Sequence, residues 1–194
     1  MITKPHSCAG CRCIDKDVLV TGSGAYPARV LFLGGTPPPW GGLFSDKSGN
    51  ILRSIVDELA REERLRGGPS TAMREMAKRR HYMYAVQCPA GKIDKKIIEQ
   101  CAGSMTHQQI LSCDPEVIVP LGAGPLRSLN IAGNIKDMRG HSTTATIGNK
   151  KFKVVPTLSP ILLLDGQSGI YNIIKSDIAT AAQVAAEASI EKES

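Results

Sequence analysis

The sequence predicts an α/β fold, a three-layer sandwich in which a central, mostly parallel sheet of about four strands is flanked by helices. Two observations support this prediction. Segments typical of buried strands alternate with segments of helical periodicity, an order that places parallel strands under helices on both faces. The 194 residues also suit one domain with a substantial core. We therefore expect a single domain over 1–194, with an N-terminal segment at 1–25 and a C-terminal helix and tail at 176–194.

The first half of the chain contains a predicted strand and a long predicted helix. Residues 28–33 form a short apolar run that ends at two glycines, which is typical of a buried strand. Apolar residues then recur at helical spacing from Ile51 to about Leu65, after a helix-start signal at 48–50. A polar segment with a Gly-Gly-Pro break and a basic end follows at 67–80.

The alternation continues in the second half. We predict a strand at 82–88, a helix at 93–111, a strand at 116–122 and a short helix at 124–129. A hairpin-like strand pair is predicted at 143–147 and 152–155, and an Ala-rich closing helix at about 173–188. The functional loops of parallel sheets lie beyond the carboxyl ends of the strands. The segments that we expect at that edge are 34–46, 88–92, 122–124 and 157–164.

Composition excludes some classes of protein and leaves others open. The formal charge of +6 and the isoelectric point near 9.1 are compatible with a polyanionic partner such as nucleic acid. One Trp, four Tyr and three Phe are too few for many base-stacking platforms. No apolar run is long enough to span a bilayer and the N-terminus lacks a signal-peptide pattern, so we expect a cytoplasmic protein without a membrane partner.

Six cysteines in a chain without a secretion signal are expected to be reduced, metal-bound or buried rather than paired in disulfides. Cys8 and Cys11 form a C-x2-C motif, which can present two thiolates to one metal centre. Two further thiolates would complete four ligands for a zinc ion or an iron–sulfur cluster, and spacing alone does not separate these centres. Ordinary buried thiols are the alternative.

Several motifs occur in a fixed order: Cys8-x2-Cys11, the strand 28–33, the glycine-proline loop 34–41, the run 44–49, the segments 86–89 and 99–101, and the later segments 117–122 and 155–160. The ordered set resembles the bacterial and archaeal iron–sulfur uracil-DNA glycosylases, families four and five, over nearly the whole chain. The glycine-proline loop is similar to the family-five pattern G-L-A-P-A-x-H-G. The run 44–49 resembles that family's F-T-G-D-R-S-G with one residue missing.

The resemblance implies a monofunctional DNA glycosylase, a hydrolase that releases a base from DNA and leaves an abasic site. It also implies a [4Fe–4S] cluster with a structural role, to which the N-terminal segment contributes. The cluster ligands that it implies are Cys8, Cys11, Cys88 and Cys101. Cys13 and Cys113 would then be packing residues. We expect a monomer that acts on double- or single-stranded DNA.

Asp46 is the catalytic residue that the resemblance implies, because it matches the family-five aspartate. Cleavage of an N-glycosidic bond builds positive charge on the sugar, and a carboxylate beneath the sugar can stabilise that charge and orient a water molecule. Asp46 would also suit the N-cap of a helix that begins at Lys47, and the two roles are compatible. Phe44 matches the ring that stacks on the flipped base, although a core position would also suit it.

Other residues complete the predicted base pocket and DNA surface. The predicted pocket residues are Gly35, Trp40, Phe44, Tyr84 and Ser159, of which Trp40 could instead face DNA. The predicted DNA contacts are Lys47, Ser48 and an apolar wedge of Ile161, Leu162 and Leu163. The basic cluster 78–80 is a further candidate for contact with the DNA backbone. The plainer alternatives are a core position for the apolar run and a solvated face for the basic cluster.

Three positions depart from the family pattern. Ser159 stands in place of the histidine of the family's H-P motif, Tyr84 in place of a strand-end asparagine, and Gly35 in place of the family-four glutamate. Small residues at 35 and 159 and a shortened loop before Phe44 predict a wider pocket. Such a pocket would suit a bulky modified pyrimidine, such as a hydroxymethylated or glycosylated base of phage DNA, and hence a role in antiviral defence.

Three alternatives stay open at this point. The first is excision of uracil in DNA repair. The second is a catalytically inactive homologue that binds DNA or a partner through the same cleft. The third is a zinc-stabilised nucleic-acid-binding module unrelated to glycosylases. Formation of abasic sites on DNA separates an enzyme from the last two.

Overall fold

A computed structural model of the protein describes residues 8–13, 15, 17–91, 93–167 and 169–193. The first seven residues of the predicted N-terminal segment, Lys92 of the predicted loop 88–92 and Ser194 of the predicted tail lie outside the described residues. Within the described ranges a central sheet is flanked by helices, which confirms the predicted α/β class.

Six strands form the sheet in the described part of the chain: β1 (Ser23–Gly24), β2 (Val30–Gly34), β3 (Arg80–Tyr84), β4 (Val117–Pro120), β5 (Thr143–Ile147) and β6 (Lys150–Val154). Their order across the sheet is β1-β3-β2-β4-β6-β5. The central four strands are parallel, while β1 and β5 pair antiparallel at the two edges. The sheet has more strands than the predicted four or so, and the strand that no predicted segment covers is β1, which is only two residues long and has no apolar pattern.

Strand β3 begins and ends earlier than the predicted strand at 82–88. Its first two residues are polar and do not fit an apolar run, yet they pair in register with the start of β2. Beyond Tyr84 the chain crosses the carboxyl edge of the sheet, where Val86 donates its N–H to the carbonyl oxygen of Gly35 at 2.9 Å. This crossing brings the segment that contains Cys88 beside the loop that follows β2.

Seven α-helices lie in the described residues: α1 (Lys47–Arg66), α2 (Ala72–Lys78), α3 (Lys95–Cys101), α4 (His107–Cys113), α5 (Ala123–Ser128), α6 (Ile135–Met138) and α7 (Gly169–Glu193). A π-helical turn, Ala102–Thr106, joins α3 to α4 where one continuous helix was predicted. None of these helices is long and apolar enough to cross a membrane.

Helix α2 lies within the polar segment 67–80 and was not predicted. Its first turn is stabilised from outside, because the Glu63 carboxylate of α1 accepts the N–H groups of Met73 and Arg74 at 3.2 and 3.1 Å. Backbone N–H groups of a first helical turn have no partner within their own helix. A side chain ten residues or more away in sequence supplies that partner here, and a local pattern cannot reveal it.

Two apolar layers cover the sheet. Successive residues of a strand point to opposite faces, and β2 is buried on both. Val30 and Phe32 pack in one core with α1 and α7, whereas Leu31 and Leu33 pack in the other with α4 and the β5–β6 hairpin. Strand β2 is therefore fixed between two cores, and its carboxyl end is a rigid base for a site.

Asp177 of α7 anchors the loop that follows β6. Its carboxylate is 1% exposed, and it accepts hydrogen bonds from Arg139 at 3.0 and 2.6 Å and from the Thr157 hydroxyl at 2.8 Å. A buried carboxylate is stable only when it is paired and hydrogen-bonded. Because Thr157 also forms a bridge with Leu121 beyond β4, this network fixes the loop that leads to Ser159.

Candidate active site at the carboxyl edge of the sheet

A pocket of about 240 Å³ lies at the carboxyl ends of β2, β3 and β4. The strand register brings these ends together, since Gly34 at the end of β2 pairs with Tyr84 at the end of β3. The predicted site residues that line the pocket are Gly35, Phe44, Asp46, Ser48, Tyr84, Ser159 and Ile161. The lining also includes Thr36 and Ile93, which were not among the predicted site residues.

Asp46 is the N-cap of α1 and also lines the pocket. Its Oδ1 accepts the N–H of Gly49 at 3.0 Å, and its Oδ2 accepts the hydroxyl of Ser48 at 2.7 Å. A carboxylate oxygen can accept more than one hydrogen bond, so both oxygens keep acceptor capacity. The cap therefore holds a carboxylate in a fixed position at the pocket wall.

Phe44 and Tyr84 form a parallel aromatic pair at the pocket. Their ring centroids are 4.7 Å apart with an interplanar angle of 5°, and the Tyr84 hydroxyl oxygen accepts the N–H of Phe44 at 2.8 Å. One face of the Phe44 ring is thus covered, and the residue is only 4% exposed. A base can reach only the part of this ring that borders the pocket.

Burial raises the pKa of Tyr84 to about 12, although the hydrogen bond from Phe44 opposes the shift. The phenol therefore stays protonated at neutral pH. Its oxygen accepts one hydrogen bond, and its own hydrogen can donate to a second partner. The pocket thus has a neutral hydroxyl group on its wall at Tyr84.

Arg53 of α1 holds the turn that precedes Asp46. Phe44 has a φ of +50°, in the left-handed region that costs a non-glycine residue about 1–3 kcal/mol. The Arg53 guanidinium donates to the carbonyl oxygen of Phe44 at 2.6 Å and to that of Leu43 at 2.9 Å. Hydrogen bonds from a charged donor contribute about 1.5–3 kcal/mol each, which is enough to offset the strain. The sequence did not reveal this residue, because its partners are backbone carbonyl groups.

Two glycines allow the close packing of this turn. A Cβ atom at Gly49 would overlap the carbonyl group of Phe44, and a Cβ atom at Gly34 would lie 2.7 Å from the Phe44 ring and 2.9 Å from the Tyr84 ring. Contacts of that length essentially never occur in proteins. The start of α1 can therefore reach the aromatic pair only because both positions lack a side chain.

Two predicted site residues lie outside the pocket lining on the α1 side. The Trp40 side chain is largely solvent-exposed, at 71%, and its Nε1 donates to the Ser45 hydroxyl at 3.3 Å. Lys47 is also exposed and is the first residue of α1, next to Asp46. Both residues are therefore beside the pocket rather than part of its wall.

The three residues of the predicted apolar wedge lie within a 3-10 turn, Pro160–Leu163, which exposes them to different degrees. Leu162 and Leu163 are partly buried and pack against the core, and contact of the run with DNA stays a prediction. Ile161, which lines the pocket, is 53% exposed, and Leu164 is 45% exposed. Within the run 161–164, these two side chains are the most exposed.

The basic cluster 78–80 lies at the opposite edge of the sheet. Its last residue begins β3, four residues before the carboxyl end, which at about 3.3 Å per residue is roughly 13 Å away. Its side chains pair with Glu75, Glu116 and Asp57 at 3.0, 3.8 and 2.6 Å. The cluster therefore lies away from the pocket with its charges paired, which favours the alternative of a solvated face.

A second, much smaller cavity lies between cysteines. Four of the cysteines that line it are the predicted cluster ligands, and the fifth is Cys13. A purely thiol donor set suits an iron–sulfur cluster or zinc, so these residues fit the group that the resemblance implies. Among the described residues, no group of three or more His, Cys, Asp or Glu is placed to hold a metal ion. Cys113 lies apart from them, fully buried in the core under α4.

Cys101 is a buried thiol of this cavity with a raised pKa. Burial raises its pKa to about 11, and the neighbouring Cys88 and Cys8 add to the shift. Cys101 is the last residue of α3, and the π-helical turn begins directly after it. Such turns are rare and occur frequently at functional sites.

Thr36 connects the two cavities. Its hydroxyl donates to the carbonyl oxygen of Cys88 at 2.8 Å and accepts the N–H of Ala90 at 3.3 Å. Ile93 lines the larger pocket and also packs against the apolar cluster around the cysteines. The segment that carries Cys88 therefore supports one wall of the larger pocket.

The comparison with known families identifies the fold to which this pocket belongs. A family model described as the Uracil DNA glycosylase superfamily matches residues 21–176. The chain belongs to this superfamily. Members of the Uracil DNA glycosylase superfamily act on DNA and are generally base-excising enzymes, and the matched range contains every residue that lines the larger pocket. Cys8 and Cys11 lie outside that range. A comparison with curated proteins found no significant match.

We predict that the Arg53 hydrogen bonds stabilise the turn at Phe44. Arg53→Met should lower the free energy of unfolding by about 2–3 kcal/mol, because it leaves a strained turn without its charged donor. Arg53→Lys keeps one donor group, so its free energy of unfolding should lie between those of Arg53→Met and the wild type. Urea unfolding measures these differences. Arg61→Met on the exposed side of α1 is the matched control, expected within about 0.5 kcal/mol of the wild type. Equal losses at positions 53 and 61 would contradict the prediction.

Proposed function

We propose that the protein is a DNA glycosylase that hydrolyses the N-glycosidic bond of a flipped, modified pyrimidine and leaves an abasic site. The observation that carries this proposal is the position of the Asp46 carboxylate in the same pocket as Phe44, Tyr84 and Ser159. Membership of the Uracil DNA glycosylase superfamily supports the reaction class. The identity of the base is the finer part of the proposal.

Asp46 stabilises the positive charge that builds on the sugar as the bond breaks. Its two hydrogen bonds, from Gly49 and Ser48, hold the carboxylate in place before the substrate arrives. A preorganised charge needs no rearrangement during the reaction, which is the main source of its catalytic effect. The same carboxylate orients a water molecule on the side of the sugar opposite the departing base.

Tyr84 and Ser159 are hydroxyl donors for the departing base. Negative charge develops on the base as it leaves, and hydrogen bonds aimed at that charge stabilise the transition state. The Tyr84 hydroxyl already accepts the N–H of Phe44, and such chains of hydrogen bonds polarise one another. These hydroxyl groups take the places of the asparagine and histidine that the resembled families carry.

The absence of a side chain at Gly35 leaves room for a substituent on the base. A Cβ atom there would have only one neighbour within 4 Å, the Cδ1 atom of Ile93 at 3.8 Å. This wall of the pocket can therefore admit a group larger than a hydrogen atom on a pyrimidine ring. Hydroxymethylated and glycosylated pyrimidines of phage DNA are bases of this kind, and their removal would serve antiviral defence.

The cysteine cavity holds a [4Fe–4S] cluster bound by Cys8, Cys11, Cys88 and Cys101. The cluster supplies folding free energy and takes no part in bond cleavage. Two of its ligands come from the N-terminal segment, one from the crossing after β3 and one from the end of α3. Through Thr36 the cluster segment fixes the loop that contains Gly35.

A catalytically inactive homologue that binds DNA is the second candidate function. The observation that favours it is the stacking of Tyr84 on Phe44, which covers one face of the ring expected to hold the base. Excision of unmodified uracil in DNA repair is a variant of the first candidate with the same residues and a smaller base.

The direct test is incubation of the protein with DNA that carries uracil, hypoxanthine or phage-type modified pyrimidines, followed by alkaline cleavage at abasic sites. Strand cleavage at a modified pyrimidine, in preference to uracil, supports the proposal. Cleavage at uracil alone identifies a repair enzyme. Tight DNA binding with no cleavage on any substrate identifies the inactive homologue.

We expect Asp46→Asn to slow base release about 100-fold or more, the scale of removing one preorganised electrostatic group. The fold should be retained, because Asn is also a good N-cap. Single-turnover base release on the preferred DNA measures the effect. Asp57→Asn, on the same helix and exposed, is the matched control and should react at the wild-type rate. Near-normal release by Asp46→Asn would place the catalytic charge elsewhere.

Gly35→Ala should narrow the pocket without strain, since its methyl group meets only an ordinary contact with Ile93. The ratio of the rates on a bulky modified pyrimidine and on uracil should fall about 10-fold or more, as expected for one carbon atom in a tight pocket. Gly124→Ala is the control, because its methyl group would also meet one isoleucine at 3.7 Å but outside the pocket. An unchanged ratio would show that position 35 does not border the substituent.

Cys101→Ser should lose iron and stability, because a structural metal site contributes folding free energy. Cys113→Ser is the matched control, since Cys113 is also a buried cysteine but lies in a different apolar core. Metal analysis of the purified proteins gives the result, with acid-labile sulfide separating an iron–sulfur cluster from zinc. A folded wild-type protein that holds zinc, or no metal, would contradict the proposed cluster.

A further inference from the structure

The side chain of Trp40 is large and apolar, yet it is exposed to solvent in the folded protein. It is the only tryptophan of the chain, and it is 71% exposed. Tryptophan is highly buried on average in folded proteins, since its ring carries a large hydrophobic area. Single exposed apolar side chains are common on protein surfaces, so the surroundings of Trp40 decide whether it has a role.

The loop around Trp40 holds the indole in a fixed position. Three prolines at 37–39 restrict the backbone before it, and the N–H of Gly41 closes a turn on the carbonyl oxygen of Pro38 at 2.9 Å. The indole Nε1 donates to the Ser45 hydroxyl, which in turn donates to the carbonyl oxygen of Gly41 at 3.0 Å. The polar edge of the ring is therefore tied to the loop, and its faces are left for contact.

The position of the indole relates it to the pocket. Its hydrogen-bond partner, Ser45, lies between Phe44 and Asp46, which both line the pocket. Ile161, a half-exposed apolar side chain, borders the same pocket from the loop after β6. Lys47, exposed at the start of α1, adds a positive charge beside the pocket. Nucleic acid with unstacked bases is bound by exposed aromatic side chains together with positive charge on the same surface.

We infer that Trp40 stacks on a nucleobase of the bound DNA, outside the pocket and next to the flipped nucleotide. This inference rests on the proposed function, since it needs DNA at the carboxyl edge of the sheet. Extrusion of one nucleotide exposes the faces of bases at two positions. One is the neighbouring base on the same strand, and the other is the base on the opposite strand that has lost its partner. A flat indole recognises either face through the same stacking chemistry.

Stacking on Trp40 should contribute measurably to affinity. Loss of a stacked aromatic side chain typically weakens binding about 5- to 100-fold, so Trp40→Ala should have an effect in this range. Trp40→Phe keeps an aromatic ring and should therefore lose less affinity for DNA than Trp40→Ala. Because stacking is not ionic, the dependence of affinity on salt should keep its slope in Trp40→Ala. In Lys47→Ala the slope should instead fall by about 0.9, the value for one lost phosphate contact on duplex DNA.

Leu65→Ala is the matched control for loss of an exposed apolar side chain. Leu65 is 78% exposed and lies 18 residues along α1 from Lys47, roughly 27 Å away at 1.5 Å per residue. Its removal should leave DNA affinity unchanged. Thermal unfolding of all four variants checks that the fold is retained, as expected for side chains with so little buried surface.

The fluorescence of the single tryptophan gives a direct reading of the contact. The probe is duplex DNA with a tetrahydrofuran abasic analogue at the target position, which the enzyme can bind but not cleave. Excitation at the red edge of the indole absorption avoids the tyrosines. Stacking on a base should quench the emission on addition of this DNA. In two further duplexes, a second tetrahydrofuran replaces either the neighbouring base or the opposite base, and the quenching should be lost in one of them.

The outcomes separate this inference from the proposed function. Binding of the duplex with one tetrahydrofuran without quenching, together with wild-type affinity in Trp40→Ala, overturns the role of Trp40 and leaves the glycosylase proposal intact. Quenching that persists in both doubly substituted duplexes also overturns it. No binding of the duplex at low salt overturns both the inference and the proposed function. Quenching that one missing base abolishes, with weakened binding by Trp40→Ala, supports the inference and identifies the base.

Discussion

The in-register pairing of β2 with its parallel neighbours β3 and β4 is the constraint on which the site depends. Strand β2 is buried on both faces, so its position relative to both cores is fixed. Its carboxyl end therefore presents Gly34 and Gly35 beside Tyr84, and the loops that leave the three strands meet around one pocket. A shift of one residue in either pairing would turn the side chains of a strand to the other face and separate these groups.

The turn between β2 and α1 converts this fixed edge into a chemical site. Phe44 takes a left-handed backbone conformation, which the Arg53 guanidinium stabilises from the body of α1. The same turn places Asp46 at the N-cap of α1, where its carboxylate accepts a backbone N–H of the first helical turn. Backbone strain, the helix cap and the aromatic stack are therefore parts of one structural unit. In the proposed function this unit holds the catalytic charge and one wall of the base pocket.

Much of the site could be predicted because its residues lie where sequence signals are strong. The apolar run before Gly34 and the amphipathic pattern of α1 locate the loop between them, and the family resemblance selects Asp46 and Phe44 within it. The parts that could not be predicted depend on contacts between distant segments. Helix α2 needs Glu63 of another helix, and the hold of Arg53 on two carbonyl groups leaves no pattern in the sequence. The sequence likewise does not reveal at which end of the sheet the basic cluster 78–80 lies, because this depends on the direction of the strand that follows it.

The central claim is that DNA binds at the carboxyl edge of the four parallel strands. Backbone hydrogen exchange with and without duplex DNA that carries an abasic analogue tests this claim most directly, because it reports on every segment at once. The account predicts slower exchange in the loops at 35–46 and 157–164, with little change at 78–80 and in the β5–β6 hairpin. Protection of 78–80 and the amino ends of the strands, with the two loops unchanged, would contradict it.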